Sequence, residues 1–262
     1  MSDHSSIEWT AMTSPTKPRL HLTYSGAMLR QMFAPVLPHL PTRGTRNIPD
    51  AIGIEVCGDE LYLIATCGYT LGVHRWTLTG PDAVGPADRF APGDFAITVP
   101  TAPVRSMLRL IGVRHTVALT ITPDGLHLEH RRDKFSPHPD ATYDVGPATR
   151  EPLMDWRGLL LPRLAEASSG DSSPEGPDAP PLADADVPIW IDPRLLARFA
   201  GAPSGTRNPV RFHRRHRMLL VTCGDHFIGA IAPVLASHRC GDSASEWHAR
   251  LARHRQSGLA AA

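Results

Sequence analysis

"LHLTYSGAMLRQMF" (residues 20–33) and "FAITVPTAPVRSML" (residues 95–108) align without a gap at a shift of 75 residues. Leu22 matches Ile97, Thr23 matches Thr98, Ala27 matches Ala102, Arg30 matches Arg105 and Met32 matches Met107. Each stretch opens with period-two alternation, the mark of a half-buried strand, and passes into apolar residues at helical spacing. Each is followed by strand-like runs, "AIGIEVCGDELYLIATCGYTLGVHRW" and "TVALTITPDGLHLEH". Gly58-Asp59, Cys67-Gly68-Tyr69 and Asp124-Gly125 are turn signals between those runs, so the runs read as hairpins.

A third, weaker copy begins at "PIWIDPRLLARFA" (188–200), with a short strand, Asp192 placed as helix N-cap and Pro193 at the first helical position. Leu195, Leu196 and Phe199 then fall on one helical face, and "NPVRFHRRHRMLLVTCGDHFIGAIAPV" supplies the strands, turning at Cys223-Gly224-Asp225. The chain therefore reads as three strand–helix–strands modules, a repeat whose units bury their apolar faces against one another.

The expected layout is a disordered leader over 1–19 and two modules, 20–80 and 94–162, forming one domain over 20–162. A disordered acidic linker over 163–187, a third module over 188–236 and a tail over 237–262 with a possible short helix complete it. The linker reading rests on residues 166–187, which hold six acids and no base and offer too little apolar surface to offset ordering entropy.

The bulk properties exclude more than they assert. The chain has 262 residues, 42% of them hydrophobic, enough for a real core. Its 27 basic residues nearly cancel 26 acidic ones, and arginine carries almost all the cationic charge because Lys17 and Lys134 are the only lysines. No run approaches the ~20 apolar residues that span a bilayer, and the N-terminus lacks a secretory pattern. A cytoplasmic protein with no membrane partner is expected, with Cys57, Cys67, Cys223 and Cys240 as reduced thiols. Nucleophile elbow, Walker loop, dinucleotide fingerprint and HExxH are all missing, so no enzyme, cofactor or metal is expected. His213 and His216 sit three apart in a strand, which points them to opposite faces and suits a metal poorly. "VRFHRRHRM" (210–218) reads as a solvated basic edge strand or, with the tail, as a basic nucleic-acid-binding surface.

Four pieces together resemble the bacterial DNA polymerase III beta subunit, the sliding clamp, whose domains are α+β and built from paired strand–helix–strands halves. The clamp hairpin Ala-Thr-Asp-Gly-x-Arg-Leu-Ala is similar to Ala65-Thr66-Cys67-Gly68-Tyr69-Thr70-Leu71-Gly72, with Cys67 for Asp and Thr70 for Arg. The clamp Pro-Asp-Tyr-Arg segment is similar to "MDWRGLLLP" (154–162), and its closing Met-Pro-Met-Arg-Leu to Ile231-Ala232-Pro233-Val234-Leu235, which lacks the Arg. The chain looks like the second clamp domain plus the latter half of the third. Three halves stand where the family has six, and an odd half must pair in another chain, stay exposed, or pack in an unfamiliar way.

The resemblance implies a processivity factor that encircles duplex DNA without reading sequence and tethers a DNA polymerase or other clamp-binding peptides. It also implies a homo-oligomer or a mixed clamp assembly. Its peptide-binding groove would use Thr66, Gly68, Tyr69, Thr70, Leu71, Trp156, Leu159, Ala232, Pro233 and Val234. Its DNA-facing side chains would be Arg30, Arg105, Arg109, Arg194 and Arg198. The alternative is a clamp-derived peptide-binding accessory of replication or repair that never encircles DNA.

Overall fold

A computed structural model describes residues 19–42, 48–78, 87–91, 94–133, 135–169, 191–202, 209–215 and 218–233. The repeat is visible at its first joint. Strand β1 (Arg19–Ser25) passes directly into helix α1 (Gly26–Phe33), and β6 (Phe95–Pro100) directly into α2 (Thr101–Leu110). Ser25 caps α1 by accepting from the Met28 N–H, as a short hydroxyl side chain does at a helix start. A meander then follows each helix: β2 (Ala51–Cys57), β3 (Glu60–Thr66) and β4 (Thr70–Thr77) after α1. After α2 come β7 (Thr116–Thr122), β8 (Gly125–Arg131) and β9 (Ala141–Val145). Gly58, Gly68, Gly125 and Gly224, at the four turns expected from sequence, all take positive φ.

The lead-in strands are exchanged. β1 pairs antiparallel with β7 of the second module, and β6 with β2 of the first. The five-stranded sheet therefore runs β5-β1-β7-β8-β9, where β5 is Ala87–Ala91. One core joins both sheets and both helices: Leu20 and Leu22, Ile52 and Ile54, Leu61 and Leu63, Ile97, Leu119 and Leu128, with Met32 and Phe33 of α1 and Met107 of α2. Burying each such side chain is worth about 1.5–3 kcal/mol before entropy is counted, so this double module is the stable body of the molecule.

The third meander, β10 (Val210–Arg215), β11 (Met218–Cys223) and β12 (Phe227–Ile231), docks on its own chain. β12 pairs antiparallel with β4, setting Ile231 opposite Thr70 and Phe227 opposite His74. The second sheet thus has seven strands, β10-β11-β12-β4-β3-β2-β6, and β10 lies at its edge as the sequence suggested.

Two local expectations need correction. The helix of the third module is one turn, α4 (Pro193–Leu196), tightening into a 3-10 turn over Ala197–Gly201. Phe199 is buried but Leu196 is exposed, because a 3-10 turn rotates residues off the helical face assumed from sequence. The segment read as linker from 163 begins as helix: α3 (Trp156–Ser169) runs straight through Pro162. Proline removes one helical hydrogen bond there, and packing of the preceding turn carries the helix past it. The short strand expected ahead of the Asp192 cap lies, apart from Ile191, outside the described residues. No helix among the described residues is long and apolar enough to cross a membrane.

Candidate functional site

The β3–β4 hairpin tip is held from inside. The Cys67 N–H donates to the Thr70 carbonyl at 3.2 Å, and the Thr66 hydroxyl donates to the same carbonyl at 2.9 Å. The Thr66 oxygen also accepts from the Gly68 N–H at 3.0 Å. Tyr69 stands out at the tip, 58% exposed, and its carbonyl accepts from the Ala232 N–H at 2.8 Å. The chain end of β12, Ala232 and Pro233, therefore lies beside the tip, half-buried. Val234 lies outside the described residues.

Strand alternation splits the remaining hairpin residues. Leu71 and Val73 face outward into a cluster with Ile64, Trp156, Leu160, Leu220 and Ala230, and Leu159 packs against it half-buried. Thr70 shares its face with Gly72 and His74, which look toward the helices. His39 packs over Gly72 so closely that a Cβ there would overlap the ring, and His74 Nδ1 donates to the Met32 carbonyl of α1 at 2.8 Å. The structure thus brings Leu71, Trp156 and Leu159 together, sets Gly68, Tyr69, Ala232 and Pro233 at the adjacent tip, and buries Thr70 on the opposite face.

Helix α3 straps this junction. Trp156 Nε1 donates to the buried Glu55 carboxylate at 3.1 Å, and Arg157 pairs with the same carboxylate while its guanidinium lies 4.2 Å over the Trp156 ring. The Arg157 guanidinium is held further above its ordinary range by the Glu55 bond and charge, although burial, the largest effect, pulls the other way. Glu55 was not singled out by sequence reasoning. Its signal is an acid inside the otherwise apolar strand "AIGIEVC". His39 was missed as well. Its ring is fully buried against Phe199 at 4.5 Å and Phe227 at 6.0 Å, and neither ring nitrogen meets a hydrogen-bond partner among the described residues. Burial, aided by the Arg198 charge, pushes its pKa down to about 3, so it is a neutral wedge between first and third modules.

The helices form a second candidate surface. Arg30 of α1 and Arg105 and Arg109 of α2, all exposed, line one concavity of ≈ 770 Å³ with Ala34, Leu37, Pro38, Ala102 and Leu108. Arg30 also ties α1 to the end of α2 by donating to the Ile111 carbonyl at 2.5 Å. The third module continues this side: a Cβ on Gly201 would stand 3.3 Å from the Ala34 carbonyl and 3.9 Å from Pro38. Arg194 is exposed there. Arg198 is half-buried and donates to the Leu40 carbonyl at 3.0 Å. The i, i+4 spacing that would put Arg194 and Arg198 on one face does not hold across the change to a 3-10 turn. Among the described residues, no group of three or more His, Cys, Asp or Glu side chains is placed to hold a metal.

No protein-family model and no curated protein sequence matches the chain. Solved structures do. The sliding clamp of Bacillus subtilis aligns with 87% of the chain at TM-score 0.54 and 11% identity. The C. crescentus beta sliding clamp covers 86% of it at 0.53 and 16%, and the clamp of Bartonella birtlesii bound to griselimycin covers 87% at 0.54 and 13%. The match spans 66% of the C. crescentus chain, so this chain covers just under two thirds of that clamp's length. The molecule has the α+β fold of bacterial DNA polymerase III beta sliding clamps.

Proposed function

We propose that the protein is a clamp-like processivity factor whose helix side runs along duplex DNA while the hairpin junction tethers a polymerase. The observation that carries this reading is the arrangement of Arg30, Arg105 and Arg109 around one concavity on the helix side. Arginines on a fixed wall give phosphate contacts that are sequence-independent and sensitive to salt. Partner peptides would meet Tyr69, Ala232 and Pro233 at the tip, with the half-buried Leu159 offering apolar surface at the edge of the adjoining cluster. The hairpin lacks a charged rim because the buried, uncharged Thr70 stands where the clamp hairpin has arginine, so its partners would differ from those of a clamp with arginine there.

The test is topological. Protein crosslinked on a relaxed plasmid and washed in high salt should stay on the circle and leave when the plasmid is linearised. Replacing Arg30, Arg105 and Arg109 by alanine should lower the affinity and flatten its salt dependence. The second reading, a peptide-binding accessory that does not encircle DNA, is favoured by the docking of the third meander on β4 of its own chain, which gathers three half-modules into one body. Protein that washes off circle and linear DNA alike, yet holds a clamp-binding peptide, would establish that reading instead.

A further inference from the structure

The concavity between α1 and α2 is more apolar than phosphate contacts, which need charge alone, require. Ala34, Leu37 and Pro38, all half-buried, and the exposed Ala102 supply its floor. Its volume of ≈ 770 Å³ lies within the range of small-molecule sites, which are mostly apolar with a few polar groups. Its two ends differ. The start of α1 lies beside the exit of α2, where the Ala27 N–H donates to the Val113 carbonyl and Arg30 to the Ile111 carbonyl. Arg30 and Arg109 therefore share one end, whereas Ala102 lies two turns, about 10 Å, away along the same face of α2.

Charge is left uncompensated there. Elsewhere arginines meet carboxylates: Arg75 pairs with Glu60 and Asp225, Arg131 with Glu129 and Arg150 with Asp124. None of the lining residues of the concavity is acidic, and among the described residues Arg30, Arg105 and Arg109 make no ion pair. We propose that the concavity is a binding site for an anionic amphiphile, an acyl chain carrying a carboxylate or phosphate head. The head sits between Arg30 and Arg109, and the chain lies over the apolar floor toward Ala102. The aliphatic stem of Arg105, at the turn between, covers the chain. A bare anion would leave the floor uncovered, and a neutral chain would leave the arginines uncompensated. A bound amphiphile would occupy arginines that the DNA reading uses, but its binding does not depend on that reading, so DNA is left out of the test.

Isothermal titration calorimetry of the full chain with decanoate and with decyl phosphate, each below its micelle concentration, tests it. Saturable binding of one molecule per chain is expected for one head or both, and the tighter head identifies the source of the anion. Decanol, decyltrimethylammonium and inorganic phosphate should each bind at least about tenfold more weakly. Ala102→Trp, at an exposed position in the first turn of α2, should fill the floor and weaken binding about tenfold or more, with an unchanged circular-dichroism spectrum. Arg109→Glu should weaken it as much by repelling the head, and Arg211→Glu, exposed on β10, should leave it unchanged. No saturable binding of either anion, equal binding of decanol, the cation or inorganic phosphate, or a folded Ala102→Trp or Arg109→Glu chain that binds like wild type, overturns the proposal.

Discussion

β4 and β9 hold the same place in their modules, each the last strand of a meander after a helix, and their surroundings differ sharply. β4, "TLGVHRWT", is buried on both faces and paired on both edges, with β3 on one side and β12 on the other. β9, "ATYDV", pairs among the described residues with β8 alone and alternates between covered and exposed residues. The folding unit is shared, so the difference comes from what has been attached. The third module and α3 turned one of two equivalent edges into an interior. The first edge accordingly tolerates glycine and histidine where rings must interleave, as at Gly72, His74 and Gly229, whereas the second keeps Thr142 and Asp144 toward water.

Breaking the interior edge should cost far more than altering the outer one. Gly229→Val would put a Cβ 2.5 Å from the Phe199 ring and 2.6 Å from the Leu71 carbonyl. Denaturant unfolding should show a loss of about 3 kcal/mol or more, since the backbone cannot yield. Gly146→Ala, just past β9 with nothing within 4 Å, should change stability by less than about 0.5 kcal/mol. Trp156→Ala should cost about 3–5 kcal/mol in the same assay, because it opens the junction cluster and strips Glu55 of a donor. Tyr143→Ala on β9 should cost less than half as much.

Acid should also find the junction first. The His39 imidazole sits at about 3 in the folded chain and near 6.5 when unfolded. As pH falls below about 6.5 the unfolded chain takes up a proton that the folded chain refuses, so stability falls at up to about 1.4 kcal/mol per pH unit. His74, lowered to about 4 mainly by burial, acts in the same direction. His39→Leu should flatten the acid limb of a stability-against-pH curve by about one proton. The smaller pH effect lies on β9. There the Asp144 hydrogen bond, the largest effect, raises the pKa of the partly exposed His127. That stabilisation is present below the unfolded pKa and disappears as pH rises through the folded one. Asp144→Asn should remove no more than about 0.2–1 kcal/mol, read as a smaller difference between unfolding midpoints on the two sides of neutrality.

Much of this contrast was legible in residue order. The 75-residue repeat, the turn glycines, the Asp192 cap and the basic edge strand are local patterns, and local patterns survive in a sequence. The pairing of β12 with β4 is not local: Ile231 meets Thr70 across more than half the chain, and only the resemblance, which set Thr70 and Ala232 in one groove, pointed to it. The same gap explains the candidate site. Leu71 and Trp156 could be matched to one groove, but alternation sends Thr70 to the other face once β4 is a strand coated on both sides. Arg105 and Arg109 share a concavity because α2 is a regular helix, whereas Arg194 and Arg198 straddle a change of helix type that spacing alone does not reveal.

Amide hydrogen exchange resolved to single strands addresses the joined edge directly. If the third module is docked as described, β4 and β12 amides should be protected to the level of β2 and β3, while outward amides of β9 exchange orders of magnitude faster. Exchange in β4 as fast as in β9, with β12 equally unprotected, would contradict the account and return the third module to an independent unit.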